Sequence, residues 1–299
     1  MINSITVTNH RKESLTIDLR KPWEAGLAVM EIDGLYPPQA TINSTDLSTK
    51  DGSVFTSSRI PKRNIVIRFK ILDLPTVEDA RHILYKYFPI KKQIRIDFDT
   101  DTRDVYAEGY VESSNVEIFS NFETASVSII CTDPFLYASN DQFTALNDIL
   151  GGFEFPFNNP IGENTLAFGD VVAQSPVVIT YDGEQNVGVV IDIYAEGEVG
   201  NLRIYNMTTD EEILLDSAKV QSKTGSIINT GDHVQISTIP GSKYVKLFRG
   251  GNEINILSCV SRDNGWIHLE HGDNIIVYSG NGTSNAGIYI TNRITYEGI

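Results

Sequence analysis

Apolar residues recur at every second position through most of the last hundred residues: Leu202 and Ile204, Ile213 and Leu215, Val234 and Ile236, Val245 and Leu247. The same spacing continues in Ile254 and Ile256, Ile267 and Leu269, Ile276 and Tyr278, and Ile288 and Ile290. A period of two buries one face of a strand and wets the other, and short runs of it between Gly, Asn and Asp clusters predict an antiparallel β-sandwich. The first half carries similar runs at residues 65–71, 93–98, 106–111 and 125–130. One helix interrupts them. Thr76 is placed to cap it and Asp79 stands where the capping-box acid belongs; Val77, Ala80, Leu84, Tyr87 and Phe88 then follow helical spacing until Pro89. The predicted fold class is therefore mainly β: a strand-rich N-terminal sandwich or barrel with one helix and a long hairpin, then a C-terminal β-sandwich.

Two domains are expected from 299 residues, placed at 1–140 and 151–299 with a junction at 141–150. Charge separates the halves. Residues 1–140 hold 16 basic and 19 acidic side chains and residues 141–299 hold 8 and 20, so most of the net charge of -15 belongs to the second half. Such a surface repels phosphate backbones, which argues against nucleic-acid readout and for a solvated projection. Cys131 and Cys259 fall in different halves and read as two reduced, buried thiols. No signal-peptide run opens the chain and no apolar stretch is long enough to span a bilayer, so synthesis and assembly in a cytoplasm are expected.

Candidate chemistry reduces to structure on inspection. Asp97, Asp99, Asp101 and Glu108 echo an EF-hand spacing, but Thr102 occupies the position that needs glycine and strands flank the motif; an acidic hairpin tip fits better. His268 and His271 would point to opposite faces of a strand, with no third metal ligand nearby. Nucleophile elbows and phosphate-cradling loops are missing from the sequence. The carboxylates Asp210, Glu211 and Glu212 sit in a turn that accounts for them. These readings leave no catalytic residue, cofactor or metal ligand to assign. Trp266 is a candidate for stacking on a sugar ring, set against the commoner role of a strand tryptophan in the core. A polar, basic segment at 50–63, taken as a loop, joins Arg68, Lys70, Lys91, Lys92 and Arg95 in a patch suited to an acidic protein neighbour.

The order of several short words across nearly the whole chain resembles the distal tail (Dit) protein family of long non-contractile-tailed bacteriophages of Gram-positive hosts. In the first half these are Gly34-Leu35, Asp51-Gly52-Ser53, the strand at 65–71, the helix at 77–88, the acidic hairpin at 96–99 and the closing segment 131–137. In the second half they are the segments 201–209, 231–236, 255–257 and 266–274, with His271 standing where the family often has proline. The resemblance implies a structural protein of the virion tail tip. Its N-terminal domain would form a homo-hexameric ring continuing the tail tube, and its C-terminal domain a galectin-like or carbohydrate-binding-module-like sandwich. Implied partners are the tube protein, the tail-tip protein and receptor-binding proteins. The ring interface is expected at Arg59, Lys62, Arg63, Asp99, Asp101 and Arg103. The alternative function is an adhesion module that binds host cell-wall carbohydrate, with Trp266 at its site.

Overall fold

The computed structural model describes residues 1–47, 51–118, 122–146, 148–151, 169–172, 176–261 and 265–299. It divides into two compact units, Met1–Ser139 with Thr295–Ile299, and Asn140–Ile294. The division corrects the expected boundaries at both ends. Residues 141–150 are not a spacer, because Gln142–Ala145 is a strand of the second unit's sheet, and residues 295–299 return to the first unit. Most of the apolar stretch at 151–160 lies outside the described residues.

In unit 1 the strands are β1 (Ile2–Thr8), β2 (Ser14–Asp18), β3 (Leu27–Asp33), β4 (Thr41–Asp46), β5 (Ser53–Arg59) and β6 (Arg63–Ile71), followed by helix α1 (Val77–Tyr87). After it come β7 (Gln93–Thr100), β8 (Asp104–Glu117), β9 (Thr124–Cys131) and β10 (Leu136–Ala138). All pairings are antiparallel, in the order β2-β1-β7-β8-β9-β6-β3. β10 bridges β8 and the C-terminal strand Thr295–Tyr296. Strict alternation on β6 sends Ile65, Ile67, Phe69 and Ile71 into the core and leaves Asn64 and Arg68 outside. α1 lays Ala80 and Leu84 on that core, and Phe88 just beyond it packs 5.5 Å from the Phe69 ring. Its start is the expected one. The Thr76 hydroxyl accepts the Asp79 N–H at 3.2 Å and donates to the Asp79 carboxylate at 2.6 Å.

Unit 2 adds β11 (Gln142–Ala145), β12 (Asp148–Gly151), β13 (Gly169–Val172), β14 (Val177–Tyr181), β15 (Val187–Gly188), β16 (Val190–Ala195), β17 (Gly200–Asn206) and β18 (Glu211–Leu215). Helix α2 (Ser217–Thr224) precedes β19 (His233–Ser237), β20 (Tyr244–Arg249), β21 (Asn252–Asn255), β22 (Val260–Ser261), β23 (His268–Leu269), β24 (Gly272–Asn281) and β25 (Ala286–Asn292). Two sheets, β11-β25-β16-β19-β20-β21 and β14-β24-β17-β18-β22, enclose one apolar core, which makes a sandwich. The paired positions read from the sequence are that core: all are buried except Ile254, which packs against it partly exposed. α2 was not expected from the pattern. Its signals were nonetheless present: Asp216 accepts the N–H groups of Ala218 and Lys219, and Gly225 ends the helix in the left-handed region at φ 87°.

Candidate assembly interface

The segment expected as a loop at 50–63 is mostly a strand. β5 pairs with β4 to form a ribbon that joins no other sheet, and every residue of both strands is exposed. Period-two alternation without a buried face carries no core signal, which is why it reads as a loop; Lys50 itself lies outside the described residues. Ile42, Val54 and Phe55 are 66%, 51% and 63% exposed. An isolated two-stranded ribbon is marginal in water, and its free edges are templates for another chain. Arg59 at the ribbon's base and Lys62 after it are exposed, so these two of the four expected cations stand at the surface.

A second surface feature is acidic. β7 and β8 form the expected hairpin, and its register sets Asp99 directly opposite Asp104. Like charges facing one another across two strands are unfavourable unless a cation lies nearby. Slight desolvation, then the hydrogen bond and charge of the neighbouring Asp99, hold the exposed Asp104 carboxyl above its ordinary value. Asp101 remains exposed at the tip, where it accepts the Asn3 amide at 3.1 Å and the Met1 amine at 2.8 Å.

Arg63 and Arg103 do not belong to this surface. Arg63 is 4% exposed, and its guanidinium donates to the carbonyls of Gly34 (2.8 Å), Tyr36 (3.2 Å), Pro134 and Glu297. Alternation places it inward on β6, and burial lowers its pKa. Gly34 is part of the same node: its φ is 86°, and a Cβ there would lie 2.0 Å from the Asn64 oxygen. Arg103 donates to the Gly298 carbonyl at 3.2 Å and lies 4.3 Å from the Tyr296 ring centroid, which ties it to its own C-terminal segment.

The remaining candidates are occupied by structure. Trp266 packs partly buried against the core of unit 2, with the Lys243 ammonium 5.4 Å from its ring centroid. Glu211 accepts the His268 backbone N–H at 2.9 Å and faces His268 Nδ1 at 2.6 Å, while Glu212 pairs with Arg203 and Asp210 with the Tyr205 hydroxyl. His271 turns away to the Gly183 carbonyl at 3.1 Å. Asn274, fully buried, accepts the Glu270 N–H and donates to the Glu270 and Gly272 carbonyls, closing the turn at Gly272. Among the described residues no cluster of His, Cys, Asp and Glu is arranged to hold a metal, and no helix is long and apolar enough to cross a membrane.

Residues 27–131, a stretch within unit 1, match the family described as the phage tail protein RIFT-related domain. The whole chain has the fold of a distal tail protein. It is similar to the Dit protein of phage SPP1, described as a paradigm of the hub adsorption apparatus in phages infecting Gram-positive hosts, with a TM-score of 0.64, 14% identity, and coverage of 97% of this chain and 99% of that one. Chains of the phage p2 baseplate in its activated conformation also match. The strontium form gives a TM-score of 0.49 and 11% identity over 97% of each chain; the calcium form gives 0.47 and 12% over 98% of each. No curated protein matches the sequence.

Proposed function

We propose that this protein is a non-enzymatic structural hub of a phage tail tip, assembled as a ring of identical copies in the virion. The observation that carries the reading is positional. The segment matching the tail domain contains two surface features that stand outside the core of unit 1: the exposed ribbon β4–β5, and the acidic pair Asp99 and Asp104, where Asp99 accepts the Ser4 hydroxyl at 3.4 Å. A ring needs two different patches that meet around a closed axis, and opposite charge gives such a contact register. Arg59 and Lys62 of one copy facing Asp99, Asp101 and Asp104 of the next would supply it, with the ribbon's apolar side chains covered in the same step. A homo-hexamer, with the tube protein above, the tail-tip protein below and receptor-binding proteins at the rim, is the assembly this reading favours. The sandwich of unit 2 would then be its galectin-like arm.

Native mass spectrometry of the full chain tests the contact. The double variant Arg59→Glu, Lys62→Glu should lose the ring, and adding Asp99→Lys with Asp104→Lys should restore it. A ring that persists in the first variant removes the proposed interface; a wild-type chain that stays monomeric even with its tail partners present removes the hub reading.

A further inference from the structure

We propose that residues 295–299 are a strap that fixes the direction of the ribbon β4–β5 relative to the acidic end of the β7–β8 hairpin. The ribbon joins no other sheet and buries none of its residues, so only its two ends can aim it. Both ends meet at one place. Arg63, the first residue of β6 after the ribbon, donates to the Gly34 and Tyr36 carbonyls that precede it, at 2.8 and 3.2 Å. Pro37 and Pro38 lead into β4, and Pro61 leads out of β5. Their fixed φ stiffens both leads, so a direction set at the base carries outward.

The strap holds that base from a third side. The Glu297 carbonyl accepts from the same Arg63 guanidinium, and the Ile299 N–H donates to the Leu35 carbonyl at 3.2 Å. Between them Gly298 lies against the lead into β4: a Cβ there would meet Pro37 Cδ at 2.9 Å and the Leu35 oxygen at 3.0 Å. Only a residue without a side chain lets the two backbones come so close. The strap is also tied to the hairpin. Arg103, in the turn between β7 and β8, donates to the Gly298 carbonyl at 3.2 Å and lies 4.3 Å from the Tyr296 ring centroid. Thr295 and Tyr296 pair with Tyr137 and Leu136 of β10, which pairs in turn with β8. One five-residue segment therefore touches both the base of the ribbon and the hairpin end that carries Asp99, Asp101 and Asp104. A head-to-tail contact closes into a ring only when the two patches of each copy stand at a constant angle, and otherwise gives open chains. Resting on the ring reading above, the strap is the part that holds this angle. Residues 295–299 follow unit 2 in the chain, so the ribbon is aimed only after unit 2 has been made.

Spin labels on Ser58→Cys in the ribbon and Thr102→Cys in the hairpin turn read the angle as a distance by pulsed electron resonance. Cys131 and Cys259 are buried and stay unlabelled, and dilution with unlabelled full-length protein restricts the reading to single copies. The otherwise unaltered chain should give one narrow distance peak. Gly298→Val should lose that peak, and so should Arg103→Met, which removes the donor and leaves Gly298 in place. Ile299→Ser retains the backbone N–H and should retain the peak. Gly298 and Arg103 lie outside the apolar core of unit 1, so circular dichroism of both variants should match the wild type. A narrow peak that survives Gly298→Val or Arg103→Met overturns the proposal, as does a broad peak in the chain with its strap intact. In native mass spectra Gly298→Val should replace a single ring by open species of several sizes, whereas the Arg59→Glu, Lys62→Glu variant stops association itself. A closed ring of unchanged size beside a lost peak overturns the strap's part in closure. A wild-type chain that forms no ring, yet shows the narrow peak and its loss in the variants, upholds the strap and removes the ring reading alone.

Discussion

Arg63 shows how far a single residue can depart from what its type suggests. Read from the sequence it is one cation in a basic cluster; in the fold it is a buried node that joins Gly34, Tyr36, Pro134 and Glu297. Replacing it with Met leaves several carbonyls without a donor, and the cost should be about 3 kcal/mol or more in chemical denaturation. Arg59→Met, on the exposed ribbon, should stay within about 0.5 kcal/mol of wild type. Cys131 is the second residue-scale case. Burial pushes its thiol up to about 11, so the thiolate is scarce near neutral pH. Iodoacetamide should label Cys131 only after denaturation, as peptide mass mapping would reveal; labelling of the native protein would contradict that burial. The short words behind the family resemblance also have roles. Gly34, Asn274 and Asp232, which takes both oxygens to Arg249, are backbone locks and a buried ion pair, and carry no chemistry of their own.

At the scale of elements, the legible pieces are those with a buried face. β6, β7, β8, β9 and the paired strands of unit 2 were readable because alternation and burial coincide. α1 was readable from its cap and its spacing. Two elements escaped for opposite reasons. α2 is only eight residues long and buries Val220 alone, so its periodicity is weak although Asp216 and Gly225 bracket it. Asp216→Ala should cost about 1 kcal/mol in thermal or chemical unfolding. The ribbon β4–β5 escaped because it has no inside. Ile42→Ser with Phe55→Ser should leave monomer stability within about 0.5 kcal/mol of wild type per site and reduce ring formation in native mass spectra. A large loss of monomer stability would mean the ribbon is packed within its own chain.

For the whole molecule, the charged groups give a pH dependence whose sign can be worked out. Glu13, held by the Asn9 amide and Lys86, and Asp216, held by backbone N–H groups of Lys219 and Ala218, both lie below their ordinary values of 4.5 and 3.8. A depressed carboxylate binds protons more weakly when folded, so its stabilisation is present above the unfolded value and lost as pH falls through the folded one. Asp104 has the opposite sign: its raised value favours the folded state at low pH, and that contribution is lost as pH rises. The unfolding temperature should therefore fall as pH drops below about 4.5, and Asp216→Asn should flatten the lower part of that fall.

The sequence by itself determined the strand pattern, the capped helix α1, the concentration of acid in the second half and the family likeness, because each is a local property of spacing or type. Tertiary structure decided the rest, because burial and pairing depend on residues far apart in the chain. It sent Arg63 inward and left Arg59 outside, although only three residues lie between them. The last five residues return to unit 1, where Gly298 and Glu297 hold Arg103 and Arg63. Register across five strands also brought Phe143, Tyr194, His233, Phe248 and Tyr289 into one row, which no spacing along a single strand could reveal.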